Sequence, residues 1–121
     1  MPIVEVDIVL RADEVLDRTI AGRLANGVAS VLGSGPQGTW VRLNPIERDR
    51  YAENGEDAPK VHPVFVRVLK KELGVDEDLE KEAMSIAEIV ADLLGRPREN
   101  VHIIYEPPAA GRIAFGGKLL R

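Results

Sequence analysis

The sequence contains one pattern twice: an extended segment, an amphipathic segment and a second extended segment. In the first copy Val4, Val6 and Ile8 alternate with acidic residues, which is the two-residue period of a strand with one buried face. The second copy begins at 62–69 with a segment rich in β-branched residues, which favour strands. This internal doubling constrains the fold more than any other feature, because it predicts two strand–helix–strand units that share one core.

Each copy has a helix-like segment with clear start and stop signals. Asp13 and Glu14 are predicted to open the first helix, and the glycine-rich segment 33–38 to end it. Acidic residues at 76–78 open the second helix, and Gly95-Arg96-Pro97 stops it. Apolar residues recur at steps of three and four: Leu16, Ile20, Leu24, Val28 and Val31 or Leu32 in the first helix, and Leu79, Ala83, Ile86, Val90 and Leu93 in the second.

The remaining segments predict strands at 39–43 and 101–105 and a short hairpin at 111–119, around its glycines. The expected fold class is α+β, with a four-stranded sheet and two helices on one face plus the C-terminal hairpin. We expect a single domain over residues 1–121, made of halves 2–46 and 61–107 that a loop, 47–60, connects.

Strand alternation predicts an aliphatic sheet face toward the helices and a mixed face opposite. The mixed face is too apolar for water and too charged for a dry core, so burial in an oligomer around polar or ligand-binding cavities is expected. An antiparallel sheet that exposes a mixed face to solvent is the alternative. The first set is Val4, Val6, Ile8, Val41, Leu43, Val64, Val66, Val68, Val101 and Ile103; the second is Glu5, Asp7, Trp40, Arg42, Phe65, Arg67, Leu69, His102 and Ile104.

Composition narrows the class of protein. Hydrophobic residues make up 45% and charged residues 30% of the 121 positions, which is typical of a soluble globular domain. The chain has no cysteine, and its net charge of −4 is a poor match for nucleic acid or an anionic membrane. We therefore expect a cytoplasmic protein with small-molecule or protein partners. No ligand cluster or phosphate-binding glycine loop indicates a metal or cofactor.

Pro2 is the first candidate catalytic residue. Removal of Met1 would expose a secondary amine, and burial or neighbouring cations lower the pKa of such an amine toward neutrality. A base with that pKa moves protons to and from carbon or oxygen of a bound substrate. The alternative is a proline that starts an edge strand, where its missing N–H costs nothing.

The chain resembles the tautomerase superfamily. The resemblance is carried by Pro2-Ile3-Val4 at the start of a strand, the doubled plan, Val41-Arg42-Leu43 and the tail Phe115-Gly116-Gly117-Lys118. It covers essentially the whole chain and is nearest to fused forms related to 4-oxalocrotonate tautomerase and 5-carboxymethyl-2-hydroxymuconate isomerase. The resemblance implies a homotrimer in which the N-terminal proline is the general base.

The resemblance also assigns roles to individual residues. Arg42 matches the strand arginine that holds a substrate carboxylate and polarises a carbonyl, tasks that suit a planar bidentate cation. Arg11 matches a second carboxylate-binding arginine, with a spacing from Pro2 one residue shorter than the family's. Ile113 and Phe115 match an apolar wall from the C-terminal hairpin; packing between subunits is the alternative.

Tyr51 and Asn54 lie in the long connection between the halves. Long loops in compact domains are often functional, so these two side chains are candidates to orient a substrate across an interface. The alternative is an Asn-Gly turn with a packed tyrosine.

Departures from family patterns favour simple proton transfer. Ala114 stands where a related dehalogenase has a water-activating glutamate, and Lys71 and Gly74 where it has paired arginines. Ser34 and His102, with Ile104, replace residues typical of macrophage migration inhibitory factor. The expected function is keto–enol isomerisation of small carboxylated enols or dienols. Decarboxylation of a small oxo acid by the same proline, or a non-catalytic trimeric scaffold, remain alternatives.

Overall fold

A computed structural model describes residues 2–55 and 60–121 of the chain. The first half contains strand β1, Ile3–Val9, helix α1, Ile20–Leu32, and strand β2, Trp40–Ile46. The second contains strand β3, Val64–Leu69, helix α2, Asp76–Leu94, and strand β4, Val101–Tyr105. The hairpin that follows consists of β5, Ala114–Phe115, and β6, Lys118–Leu119.

The four long strands form one mixed sheet in the order β2-β1-β3-β4. Within each half the two strands are parallel, and the halves join through the antiparallel pair of β1 and β3. The expected α+β class with its duplicated β-α-β unit is therefore confirmed. Residues 47–60 connect the halves, and positions 56–59 of this predicted loop lie outside the described residues, as does Met1.

The core lies between the sheet and the two helices. The predicted helix-facing residues of β1 and β3 are all fully buried, because strand alternation sends them to one side. Val41, Leu43 and Ile103 pack against the same core while remaining half-buried. On the helices, the buried apolar residues are Ile20, Leu24 and Val28 in α1, and Ile86, Ala87, Val90, Ala91 and Leu94 in α2.

The start of the first helix was wrongly predicted at Asp13 and Glu14. Asp13 has a left-handed φ of 59°, and the amide of Glu14 closes a turn onto the carbonyl of Arg11 at 3.1 Å. The helix begins at Ile20. Just before it, the carboxylate of Asp17 accepts hydrogen bonds from the amide and the hydroxyl of Thr19, each at 2.7 Å. Both helix ends match the prediction, since Gly33 and Gly95 adopt left-handed caps.

A buried arginine connects the two halves. Arg96, directly after the cap of α2, has a side chain only 1% exposed, and its guanidinium pairs with Glu14 at 2.7 Å. It also donates to the carbonyl of Val9 at 2.8 Å and to that of His62 at 3.1 Å. The end of β1, the loop before α1 and the approach to β3 are thus held by one cation whose charge is paired.

No helix among the described residues is long and apolar enough to cross a membrane.

Candidate active site

Pro2 lies at the amino end of the central strand β1, and it is half-buried. Its carbonyl accepts a hydrogen bond from the amide of Trp40 at 3.0 Å, which extends the pairing of β1 with β2 by one residue. The next residue, Ile3, faces Trp40 on one side and Leu69 on the other. Two neighbouring strands therefore flank the end of the chain that carries the candidate base.

A cavity of about 330 Å³ lies on the open face of the sheet, and its lining includes Ile3, the residue that follows Pro2. It is lined by apolar side chains near the proline and by charged ones further along the sheet and from the C-terminal segment. The lining residues are Ile3, Glu5, Arg42, Arg67, Leu69, Glu106 and Arg112.

The charged part of the cavity is organised around Glu5. The sheet register places Glu5 directly between Arg42 on β2 and Arg67 on β3, and opposite charges in directly paired positions attract. Arg42 forms an ion pair with one oxygen of Glu5, and Nη1 of Arg67 lies 3.4 Å from the other. Arg67 also pairs through Nε with Glu106 at 2.9 Å.

Arg112 enters the cavity from the loop before the hairpin. Its Nη1 donates to the carbonyls of Pro107 and Pro108, at 2.8 and 3.0 Å. Its amide donates to the carbonyl of Ala109 at 2.8 Å, and the preceding Gly111 has a left-handed φ of 76° that closes this turn. The backbone thus fixes one edge of this guanidinium.

The hairpin supplies an apolar surface at the same end of the sheet. The ring of Phe115 meets that of Trp40 edge to face, with centroids 5.4 Å apart, a favourable aromatic geometry. Ile113 is half-buried, and its carbonyl accepts a bond from the amide of Leu120 at 2.8 Å. Phe115 therefore packs on the residue whose amide bonds to the carbonyl of Pro2.

Arg11 lies at the other end of β1. At about 3.3 Å per residue, the seven residues of the strand that lie between Arg11 and Pro2 alone span about 23 Å within one protomer. Its Nη2 donates to the carbonyl of Gly95, and its Nη1 lies 3.8 Å from Glu14. Within a single chain Arg11 and Pro2 are not brought together.

Tyr51 and Asn54 also lie away from Pro2 in the protomer. Tyr51 packs on Phe65, with ring centroids 6.1 Å apart, and Phe65 pairs with Asp7 near the far end of β1. The hydroxyl of Tyr51 donates to Glu53, and this bond raises its pKa to about 12, so the phenol stays protonated at neutral pH. Asn54 is exposed in a turn with Gly55, whose φ is 89°.

Sequence reasoning missed four of the charged residues that line the cavity. Glu5 and Arg67 were placed on the mixed face, but their meeting with Arg42 depends on the register between the halves, which strand alternation does not determine. Glu106 and Arg112 lie outside the four long strands. The sequence signal that could have identified Arg112 is its position directly before Ile113, a residue predicted to form the apolar wall.

The guanidinium groups of the cavity are suited to binding anions. Among residues 2–55 and 60–121, no three His, Asp or Glu side chains gather where they could hold a metal ion. The guanidinium groups of Arg42 and Arg67, with that of Arg112, present planar donors that match a carboxylate.

Solved structures share this architecture over nearly the whole chain. Pt0534 inactivated by 2-oxo-3-pentynoate is 14% identical, with a TM-score of 0.77 over 97% of this chain and 94% of that one. The wild-type F6 fused 4-OT, an asymmetric trimer, is 12% identical, with a TM-score of 0.76 over 95% and 94%. The chain therefore has the same fold as these structures.

The same fold is also found in a decarboxylase. FG41 malonate semialdehyde decarboxylase, inhibited by 3-bromopropiolate, is 18% identical, with a TM-score of 0.70 over 94% of this chain and 88% of that one. No family model and no curated protein sequence matches the chain. The likeness accordingly concerns the fold, because one fold supports many reactions and the side chains of the site determine which.

Proposed function

We propose that this chain is a cofactor-independent keto–enol tautomerase that acts on small carboxylated enols or dienols. Pro2, freed by removal of Met1, is the general base. Its neutral nitrogen takes the proton of the enol hydroxyl while the carbonyl forms, and returns that proton to carbon. The observation that carries the proposal is the arginine-lined cavity whose lining includes Ile3, the residue that follows Pro2.

The charges of the cavity support this chemistry. Positive guanidinium groups near an amine disfavour its protonated form, and the cavity that includes Ile3 holds one more guanidinium group than carboxylates. The side chain of Arg42 is 68% exposed despite its ion pair with Glu5, so donors remain for a ligand. We assign to Arg42 the binding of substrate and the polarisation of its oxygen, which stabilises the oxyanion that develops.

The working form in this proposal is a homotrimer. The F6 fused 4-OT with the same fold is a trimer, and the open sheet face here exposes 44% of Trp40 and 41% of Ile104. Apolar groups on a mixed face favour burial against another copy. In such an assembly Tyr51 and Asn54 would reach the cavity of a neighbouring copy, and Ile113 and Phe115 would wall it, whereas Arg11 would stay bonded to Gly95 and Glu14 of its own chain.

The proposal is tested by Pro2→Ala. Alanine still permits removal of Met1 but replaces the ring amine, so ketonisation of phenylenolpyruvate and of 2-hydroxymuconate should fall about 10²- to 10⁴-fold. Turnover is followed by ultraviolet absorbance, with intact mass confirming the first residue of each sample.

Pro97→Ala is the matched control, because Pro97 is exposed and precedes β4 at the other end of the sheet. It should retain wild-type turnover. Unchanged turnover of fully processed Pro2→Ala would refute the general base. Loss of CO₂ from a small oxo acid without enol turnover would favour the alternative of a decarboxylase. Retention of Met1 would favour the alternative of a non-catalytic scaffold.

A further inference from the structure

The three arginines of the cavity differ in how far their charge is already paired. Arg42 shares Glu5, and Arg67 contacts both Glu5 and Glu106. Arg112 bonds to backbone carbonyls, and among the described residues no carboxylate oxygen lies within 4 Å of it. Arg112 is therefore the lining cation whose charge a ligand is best placed to balance.

Hydrogen bonds to the backbone also fix the orientation of the Arg112 guanidinium group. Its Nη1 is occupied by two carbonyls of the Pro107-Pro108 segment, which holds the guanidinium plane in place. The donors on Nε and Nη2 have no acceptor among the described residues. Two donors on one side of a fixed guanidinium are the arrangement that binds a carboxylate with parallel hydrogen bonds.

The cavity also has a defined net charge. Its three guanidinium groups and two carboxylates leave one positive charge at neutral pH. One carboxylate of a ligand balances that charge, whereas a dicarboxylate leaves an excess negative charge beside Glu5 and Glu106. Like charges in a partly desolvated site repel strongly.

From these observations we infer that Arg112 binds the substrate carboxylate and that the cavity selects singly charged enols over dicarboxylated ones. The inference rests on the proposed tautomerase function, in which Arg42 polarises the reacting oxygen. It divides the two tasks between two arginines: Arg112 anchors the substrate, and Arg42 acts on the group that changes.

Arg112→Gln tests the anchor, with Arg112→Lys as the conservative variant. We expect the KM for phenylenolpyruvate to rise about 10- to 100-fold, which is typical of a lost charged hydrogen bond, with a smaller change in kcat. Lysine should restore part of the affinity. Arg18→Gln is the control, because Arg18 is exposed in the loop before α1, and it should leave both constants unchanged.

Calorimetric binding of 3-phenylpropionate, an unreactive monocarboxylate, separates this inference from the proposed function. Weaker binding by Arg112→Gln than by Arg18→Gln supports the anchor even if no enol is turned over. Equal binding by the two variants overturns the anchor even if the wild-type protein is an active tautomerase.

The charge preference is tested by Glu106→Gln, which removes one carboxylate and releases Arg67. The wild-type protein should have a higher kcat/KM for phenylenolpyruvate than for 2-hydroxymuconate, and the variant should shift that ratio toward the dicarboxylate about 10-fold. Glu99→Gln makes the same charge change at an exposed position before β4 and should not shift it. A wild-type preference for the dicarboxylate, or equal shifts in both variants, overturns the charge preference.

Discussion

Single charged residues control the stability of this chain where they pair with a buried charge, and Glu14, the partner of the buried Arg96, is the clearest case. Two hydrogen bonds from Arg96 hold its pKa at about 2, against an ordinary value of 4.5. Because the folded pKa lies below the unfolded one, this contribution to stability is complete above pH 4.5 and is lost as the pH falls toward 2. The difference corresponds to about 3 kcal/mol.

Glu14→Gln should therefore lower the free energy of unfolding at pH 7 by about 3 kcal/mol, with a loss that shrinks toward pH 2. Urea unfolding at pH 7, 4.5, 3 and 2 measures this. Glu72→Gln, at an exposed glutamate, should follow the wild-type profile. If Glu14→Gln lost as much stability at pH 2 as at pH 7, the assigned ion pair would be wrong.

Among the elements, helix α1 offers a matched pair of glycines. A Cβ at Gly22 would meet nothing within 4 Å, whereas one at Gly27 would lie 3.2 Å from Ile89 and 3.3 Å from Leu93 of α2. Glycine inside a helix costs about 0.5–1 kcal/mol relative to alanine. The close contact at Gly27 offsets that gain.

Gly22→Ala should raise the free energy of unfolding by about 0.5–1 kcal/mol, and Gly27→Ala should raise it less or lower it. Thermal or urea unfolding of the two variants side by side gives the comparison. A larger gain at Gly27 would mean that α1 and α2 pack less closely than the structure shows.

The elements were the most predictable level of this fold. Strand alternation identified the buried side of β1 and β3, and the glycines after α1 and α2 identified their ends. Acidic residues alone did not locate the start of α1, because Glu14 forms an ion pair with Arg96, more than eighty positions away, and does not cap a helix. The candidate site was less predictable still: Pro2 and Arg42 carried a sequence signal, whereas the pairing of Glu5 with Arg67 depends on the contact between halves.

For the molecule as a whole, the open sheet face is the proposed surface between copies. Ile104 lies on this face and is 41% exposed, while Val15, 91% exposed, lies in the loop before α1. Placing a carboxylate in an apolar interface without a partner is costly. An aspartate at each of the two positions therefore distinguishes a face that is buried between copies from a loop that stays exposed.

Ile104→Asp should shift the protein from trimer to monomer at micromolar concentration, and Val15→Asp should leave the trimer intact. Analytical ultracentrifugation gives both masses. A wild-type protein that sediments as a monomer would contradict the trimer directly, and a trimeric Ile104→Asp would place the interface elsewhere.

The position of Arg96 also shows how two copies of one plan have ceased to be equivalent. After its cap the second helix carries a guanidinium that reaches back to Val9 and Glu14 of the first half. The first helix carries Ser34 at the matching place, where its hydroxyl accepts a bond from that of nearby Thr39. Two identical first halves would lack this donor and leave Glu14 without its cation. A copy of the first half therefore cannot replace the second without loss of the ion pair that connects the two.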